Sequence, residues 1–224
     1  MAGRKKLEIR GAKEFENDMV RLIAEEKDRH KVSWFKMWLE EFNEYRKCYE
    51  GIVTTENSLS DFYIVKFAYT RKTPVWREIL AKGSDTLDDL AACLIDSMGW
   101  DNDHLHQFLP RTVNGQHQGF YSPLAIKLGY PEDDEDWPSY KTQVVRMADI
   151  DWEKWPKWNF AFDFGDDHTF NVDFKEKITK AEARKRHYFE YTPILIDQRG
   201  VAPVQYPDWE ALGLEDSIDN NMSK

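Results

Sequence analysis

Apolar positions along this chain keep a helical period for the first fifty residues and a strand-like alternation for much of the rest. Phe15, Met19, Leu22 and Ile23 recur at helical spacing, as do Trp34, Met37, Trp38, Phe42, Tyr45 and Tyr49. The spacing predicts two helices over about residues 12–50, joined near Arg29-His30-Lys31 and stopped at Gly51. Such an aromatic stripe packs on its own domain, or else serves as a groove-binding or dimer-forming surface. Thr54 to Asp61 is a polar connector.

The body opens on alternation. Tyr63, Val65, Phe67 and Tyr69 share one face of a strand, Arg71-Lys72-Thr73-Pro74 turns the chain, and Val75 to Leu80 continues extended. Thr86 then caps a helix, with Asp89 three residues on and Leu87, Leu90, Ala91, Leu94, Ile95 and Met98 as its stripe. Gly99 ends it as a left-handed cap. His104 to Leu109 reads as a strand, and residues 110–139, rich in Gly, Pro and acidic groups, as a partly irregular insertion. Phe160, Phe162 and Phe164 share a face of one strand, and Phe170, Val172 and Phe174 a face of its partner, across a tight Gly165-Asp166 turn in which Gly165 supplies positive φ. Lys177 to Tyr188 reads as a charged helix and Tyr191 to Ile196 as a strand. The expected organisation is a helical extension over 1–56, an α+β domain over 57–208 and a flexible tail over 209–224.

Composition narrows the classes. With 224 residues, 41% hydrophobic and 14% aromatic, the chain has material for a real core, which excludes wholesale disorder. No apolar run reaches membrane-spanning length, and basic Met1 to Arg10 leads into no apolar stretch, so neither a membrane span nor a secretory leader is expected. Cys48 and Cys93 are far apart and lack metal-type spacing, which suits two buried thiols in a cytoplasmic protein. The net charge of −10 is uneven: residues 1–50 hold twelve Lys/Arg against eleven Asp/Glu, the remainder nineteen against thirty. An acidic body without a basic stripe argues against ordinary duplex binding by that body.

Few residues offer chemistry. Asp101, Asp103, His104 and His106 make the best metal-like set, since a strand starting at His104 points His104, His106 and Phe108 to one face. Asp163, Asp166 and Asp167 would add oxygen ligands from the hairpin tip, giving a divalent cation that activates water. The plainer reading is turn chemistry for Asp101-Asn102-Asp103 and a hydrogen-bonded core residue for a histidine beside Leu105 and Phe108. Trp76-Arg77 suits a cation–π or ion-pair anchor to the hairpin carboxylates, in a structural role. Asp163-Phe164-Gly165 echoes the kinase magnesium triplet, but no Gly-rich loop or catalytic loop accompanies it. Neither cysteine has an evident activating environment and no serine elbow occurs. Trp152, Trp155 and Trp158 are expected to cover the sheet.

Taken in order, Pro74-Val75-Trp76-Arg77, Thr86-Leu87-Asp88-Asp89-Leu90, Trp100 to Phe108 and Asp163-Phe164-Gly165-Asp166-Asp167 resemble the plasmid pRiA4b open-reading-frame-three-like family over roughly residues 60–205. The resemblance implies a small α+β domain, an antiparallel or mixed sheet packed on one principal helix, here with an added N-terminal helical pair. It also implies a passenger protein of plasmids, prophages and insertion sequences with no firmly attached activity. Two departures stand out: His168-Thr169-Phe170 replaces the family's usual Trp-Glu-His, and Gly200 to Tyr206 lacks the usual acidic pair.

The leading expectation is a non-enzymatic interaction protein of a mobile element. It would present an acidic, aromatic-rimmed surface to a host or phage protein, for instance by imitating nucleic-acid phosphate, with Trp76, Arg77, Asp103, His104, Asp163, Asp166 and Asp167 as candidate binding residues. The competing expectation is a divalent-metal hydrolase or nuclease built on His104, His106 and Asp163. A third is nucleic-acid binding through Arg4-Lys5-Lys6 and the helical pair, which would otherwise extend the interaction surface or mediate self-association.

Overall fold

A computed structural model describes residues 5–7, 9, 11–71, 74–111, 119–123, 125, 140–188 and 191–206. Two helices, α1 (Ala12–Glu25) and α2 (Arg29–Ile52), precede a single sheet. Its strands are β1 (Phe62–Tyr69), β2 (Trp76–Lys82), β3 (His106–Pro110), β4 (Phe120–Tyr121), β5 (Tyr140–Lys141), β6 (Lys157–Phe162), β7 (His168–Ile178) and β8 (Ile194–Arg199). They lie in the order β5-β4-β3-β6-β7-β1-β2-β8. Every neighbouring pair is antiparallel except β4 with β5. Helix α3 (Leu87–Ser97) follows β2, and α4 (Lys180–Lys185) follows β7. The chain is α+β, as its patterning implies.

The alternation of β1 puts its residues into two different cores. Tyr63, Val65, Phe67 and Tyr69 face α3 and join Phe108, Phe160 and Phe170 from neighbouring strands. Phe62 and Ile64 face the opposite side, where Leu80, Ile178 and Ala183 of α4 form a second, smaller core. Elsewhere that side is polar, as a half-wet antiparallel sheet allows: Lys66 pairs with Glu78 across β1 and β2, and its ammonium sits 3.8 Å from the Trp76 ring centre.

Helix α3 has the caps its sequence announces. Thr86 and Asp89 form a reciprocal capping box, and Gly99 takes φ 71° beyond the last turn. Leu87, Leu90, Ala91, Leu94 and Ile95 are buried against the sheet. The helical pair docks on the same side through the end of α2, where Tyr49, Ile52 and Val53 enter the main core. The Tyr49 hydroxyl donates to the Gly119 carbonyl, and the Trp155 indole donates to the Gly51 carbonyl at 2.9 Å. Trp152 and Trp158 are fully enclosed here, so the tryptophan run does cover the sheet.

Several boundaries differ from the sequence reading. Lys177 and Ile178 belong to β7, because Ile178 pairs with Phe62 and fills the second core; Thr179 caps a much shorter helix. The last strand lies at Ile194–Arg199 rather than Tyr191–Ile196, because its register on β2 runs from Leu80 to Trp76. Helix α2 continues one residue past Gly51, and Phe164 leaves the strand for the hairpin turn. The insertion contributes Phe120, a fully buried core residue on β4. Most of its other residues, and the tail from 209, lie outside the described set.

Candidate functional site

Three segments meet at one end of the sheet: the loop from Trp100 to Leu105, the hairpin tip between β6 and β7, and the stretch from Gly200 to Tyr206. The tip is not a two-residue turn. Asp163 and Asp167 take φ 52° and 51°, whereas Gly165 has no positive φ. The Asp163 carboxylate accepts from the Gly165 and Asp166 amides at 3.2 and 3.3 Å, and the Asp163 carbonyl accepts from Asp167 N–H at 2.7 Å. An aspartate that bonds its own turn tolerates left-handed backbone, so glycine is not needed for it.

The segments are stitched by Gln205. Its side-chain Oε1 accepts from the Asp101 N–H at 2.6 Å, and its side-chain Nε2 donates to the Asp101 carbonyl at 2.9 Å and the Asp103 carboxylate at 3.3 Å. The Trp100 indole donates to the Pro203 carbonyl at 2.9 Å. Beneath them His168 is 2% exposed, with its ring 4.3 Å from Trp100. Its Nε2 lies 2.7 Å from the Gln205 main-chain carbonyl, which can only accept, so Nε2 carries the proton and Nδ1 accepts from the Tyr69 hydroxyl at 3.1 Å. The histidine at the family's tryptophan position is thus a core strut.

The candidate carboxylates lie above this base. Tyr206 donates its hydroxyl to both oxygens of Asp103 at 3.0 Å. Its pKa is pushed up to about 12, first by loss of solvent and then by the Asp103 bond, with Asp101 and Asp163 adding to the effect. His104 Nε2 sits 3.5 Å from Asp163 and 3.6 Å from Asp103. Arg71 pairs with Asp167 at 2.6 Å and donates to the Asp166 carbonyl at 3.0 Å. Among the described residues the end therefore gathers Asp101, Asp103, Asp166, Asp167 and the buried Asp163 around the Arg71 guanidinium and the His104 imidazole, an electronegative end bordered by Tyr206.

His106 is not part of it. Strand β3 begins at His106, so His104 sits in a bend and the two imidazoles do not share a strand face. His106 is 4% exposed in the core, with Nε2 3.2 Å from Asp88 on α3 and 3.3 Å from Thr142. The Thr142 hydroxyl donates to Asp88 at 2.8 Å, which leaves the imidazole N–H to face the same carboxylate. The expected convergence of His104, His106 and Asp163 thus reduces to His104 with Asp163. Among the described residues, no three His, Cys, Asp or Glu side chains are gathered to hold a metal ion.

The Asp88 latch has a pH signature. Hydrogen bonds from His106 and then Thr142 hold the Asp88 carboxyl below its usual value, against the opposing effect of burial. A depressed carboxylate pKa stabilises the fold above the unfolded value of about 3.9 and loses that contribution as pH falls through the folded value. Asp88→Asn is expected to cost roughly 1 kcal/mol near neutrality. The gap in Tm between wild type and variant should close as pH drops below about 4, by thermal scans across that range. A gap of constant size would show that Asp88 acts without its charge.

Trp76 and Arg77 are not hairpin anchors. Arg77 faces the core, 3% exposed, and donates to the carbonyls of Ser97, Trp76, Arg199 and Gly200 at 2.9–3.4 Å. It caps the C-terminal end of α3, where a cation complements the helix dipole. Arg71 makes the ion pair expected of Arg77. Burial pushes the Cys93 thiol up to about 11, which disfavours the thiolate a nucleophile needs. Gln205, Tyr206, His168 and Arg71 escaped the sequence reading, and only the departure at positions 168 and 200–206 from the family pattern pointed toward the first three.

The family model described as plasmid pRiA4b ORF-3-like protein matches residues 64–205. The fold is similar to the crystal structure of a protein of unknown function, MM3350, from Methanosarcina mazei Go1, at 20% identity. The match covers 75% of this chain and 84% of that one, with a TM-score of 0.52. No curated protein matches the sequence. No helix among the described residues is long and apolar enough to cross a membrane.

Proposed function

This chain belongs to the plasmid pRiA4b ORF-3-like family, and from that footing we propose that it is a non-enzymatic interaction module of a mobile element or phage. Its acidic end receives a basic surface of a host or phage protein. The partner class that fits is a protein with a cationic groove, such as a nucleic-acid-processing enzyme, for which clustered carboxylates stand in for phosphate.

One observation supports this reading above others. Carboxylates from two separate segments, the Trp100–Leu105 loop and the hairpin tip, meet at one end with a single guanidinium among the described residues, while two of the imidazoles are committed elsewhere: His106 to Asp88 and Thr142, His168 to Tyr69 and Gln205. Exposed Asp101 and Asp103 are free of any cationic side chain except His104 among the ion pairs of the described residues. Unneutralised surface charge of one sign steers association and gives it strong salt dependence.

The test is capture of partners from a host lysate by wild type and by the Asp101→Asn, Asp103→Asn, Asp166→Asn triple variant at low and high salt. A protein retained by wild type at low salt, released by high salt and lost by the variant is the expected result. Equal retention by both chains would remove the acidic end from the proposal, and finding no salt-sensitive partner would remove the proposal itself.

A further inference from the structure

The first half of α2 carries large apolar side chains that stay substantially exposed among the described residues. Trp34 is 58% exposed, Met37 46% and Trp38 42%, and α2 has no buried residue before Phe42. Isolated exposed apolar residues are ordinary, but two tryptophans and a methionine within five positions of one helix form a patch of hot-spot composition. The antiparallel packing of α1 on α2, fixed by Phe15 against Phe42 and Glu16 against Arg46, sets Val20, 58% exposed, at about the level of Trp38.

The patch continues a face already used for docking. Trp34, Trp38, Tyr45 and Ile52 follow at intervals of four, seven and seven residues, so they line one side of the helix. At Ile52 that side is fully buried in the main core, with Tyr45 packed against it. At Trp34 and Trp38 it faces outward. With a rise of 1.5 Å per residue, Arg29 to Glu41 offers a face about 20 Å long.

Charge indicates the occupant. Within residues 29–45, Arg29, His30, Lys31 and Lys36 lie on the N-terminal side of Met37 and Glu40, Glu41 and Glu44 on its C-terminal side, with Arg46 and Lys47 just beyond and Glu44 also 2.6 Å from Lys47. A helix basic before its apolar centre and acidic after it is complementary to itself when reversed. We propose that α2 pairs antiparallel with α2 of a second copy, about a two-fold axis near Met37. Trp34, Met37 and Trp38 then form the centre, and Arg29, His30 and Lys31 of each copy lie near Glu44 of the other. A parallel pair would set like charges side by side. The interface is isologous, so a closed dimer and not an open filament results. Its small area places it at the weak end of specific interfaces, with a Kd on the order of micromolar.

Sedimentation of the full chain from low micromolar to several hundred micromolar tests this. The expected result is a concentration-dependent shift from the chain mass of 26.6 kDa to twice that value. Trp34→Ser with Trp38→Ser should weaken self-association at least tenfold while far-ultraviolet circular dichroism is unchanged. Lys31→Glu should weaken it as well, and Lys31→Glu combined with Glu44→Lys should restore it. A monomer at every concentration overturns the proposal, as does a dimer that survives the tryptophan substitutions. Failure of the charge reversal to rescue overturns the antiparallel arrangement. These measurements use purified protein alone, so they stand or fall apart from partner capture by the acidic end.

Discussion

Trp158→Ala is expected to lower stability by about 4 kcal/mol, the range for deleting a fully enclosed tryptophan. In a chain of this size that corresponds to a fall in Tm of roughly 8–16 °C. Trp158 is 0% exposed on β6, between Phe120 of β4 at 5.3 Å and Trp152 at 5.1 Å between ring centres. Its indole N–H donates to the Trp155 carbonyl at 2.8 Å, and Trp155 in turn bonds Gly51 of α2. The substitution therefore opens a cavity where the sheet, the insertion and the helical pair meet. Thermal unfolding followed by far-ultraviolet circular dichroism measures it. A loss below about 1 kcal/mol would mean that the neighbouring rings collapse into the space, and that the junction is far less tightly packed than described.

Arg77→Met is expected to cost about 3 kcal/mol, or roughly 6–12 °C in Tm. Methionine restores most of the volume but leaves the carbonyls of Ser97, Trp76, Arg199 and Gly200 without the guanidinium they share. Burial lowers the Arg77 pKa, consistent with a cation kept in the core by hydrogen bonds to backbone. Arg77→Lys should fall between the two, because one ammonium cannot span acceptors on α3, β2 and β8 at once. Gly200 shares the constraint: it has φ 80°, and a Cβ there would collide with the Pro74 carbonyl oxygen. Denaturant titration of both arginine variants checks the order. If Arg77→Met were as stable as wild type, the arginine would have to act at the surface after all.

How far the fold was legible depended on where each signal lay. The α3 capping box, its apolar stripe and Gly99 are local, within fifteen residues, and the sequence states them outright. The alternating faces of β1, β6 and β7 are equally local. Second-face burial was not legible: Phe62 and Ile64 look like ordinary breaks in an alternation until α4 covers them. The helix forecast from Lys177 failed because pairing with β1 outweighs helix propensity at Ile178. At the candidate site, residue types announced an acidic end, but the spacing of His104 and His106 misled, since one residue of bend before β3 turns the first imidazole away from the second.

The sequence by itself determined the α+β class, the caps of α3, the buried strand faces and the surplus of carboxylates, because each follows from neighbours a few positions away. Tertiary structure alone decided which polar group meets which. Arg77 reaches Arg199 and Gly200, His168 reaches Gln205, and Gln205 clasps Asp101 across 104 residues. Hydrogen-bond partners are set by where the folded backbone brings donors and acceptors together, and no periodicity along the chain encodes that distance.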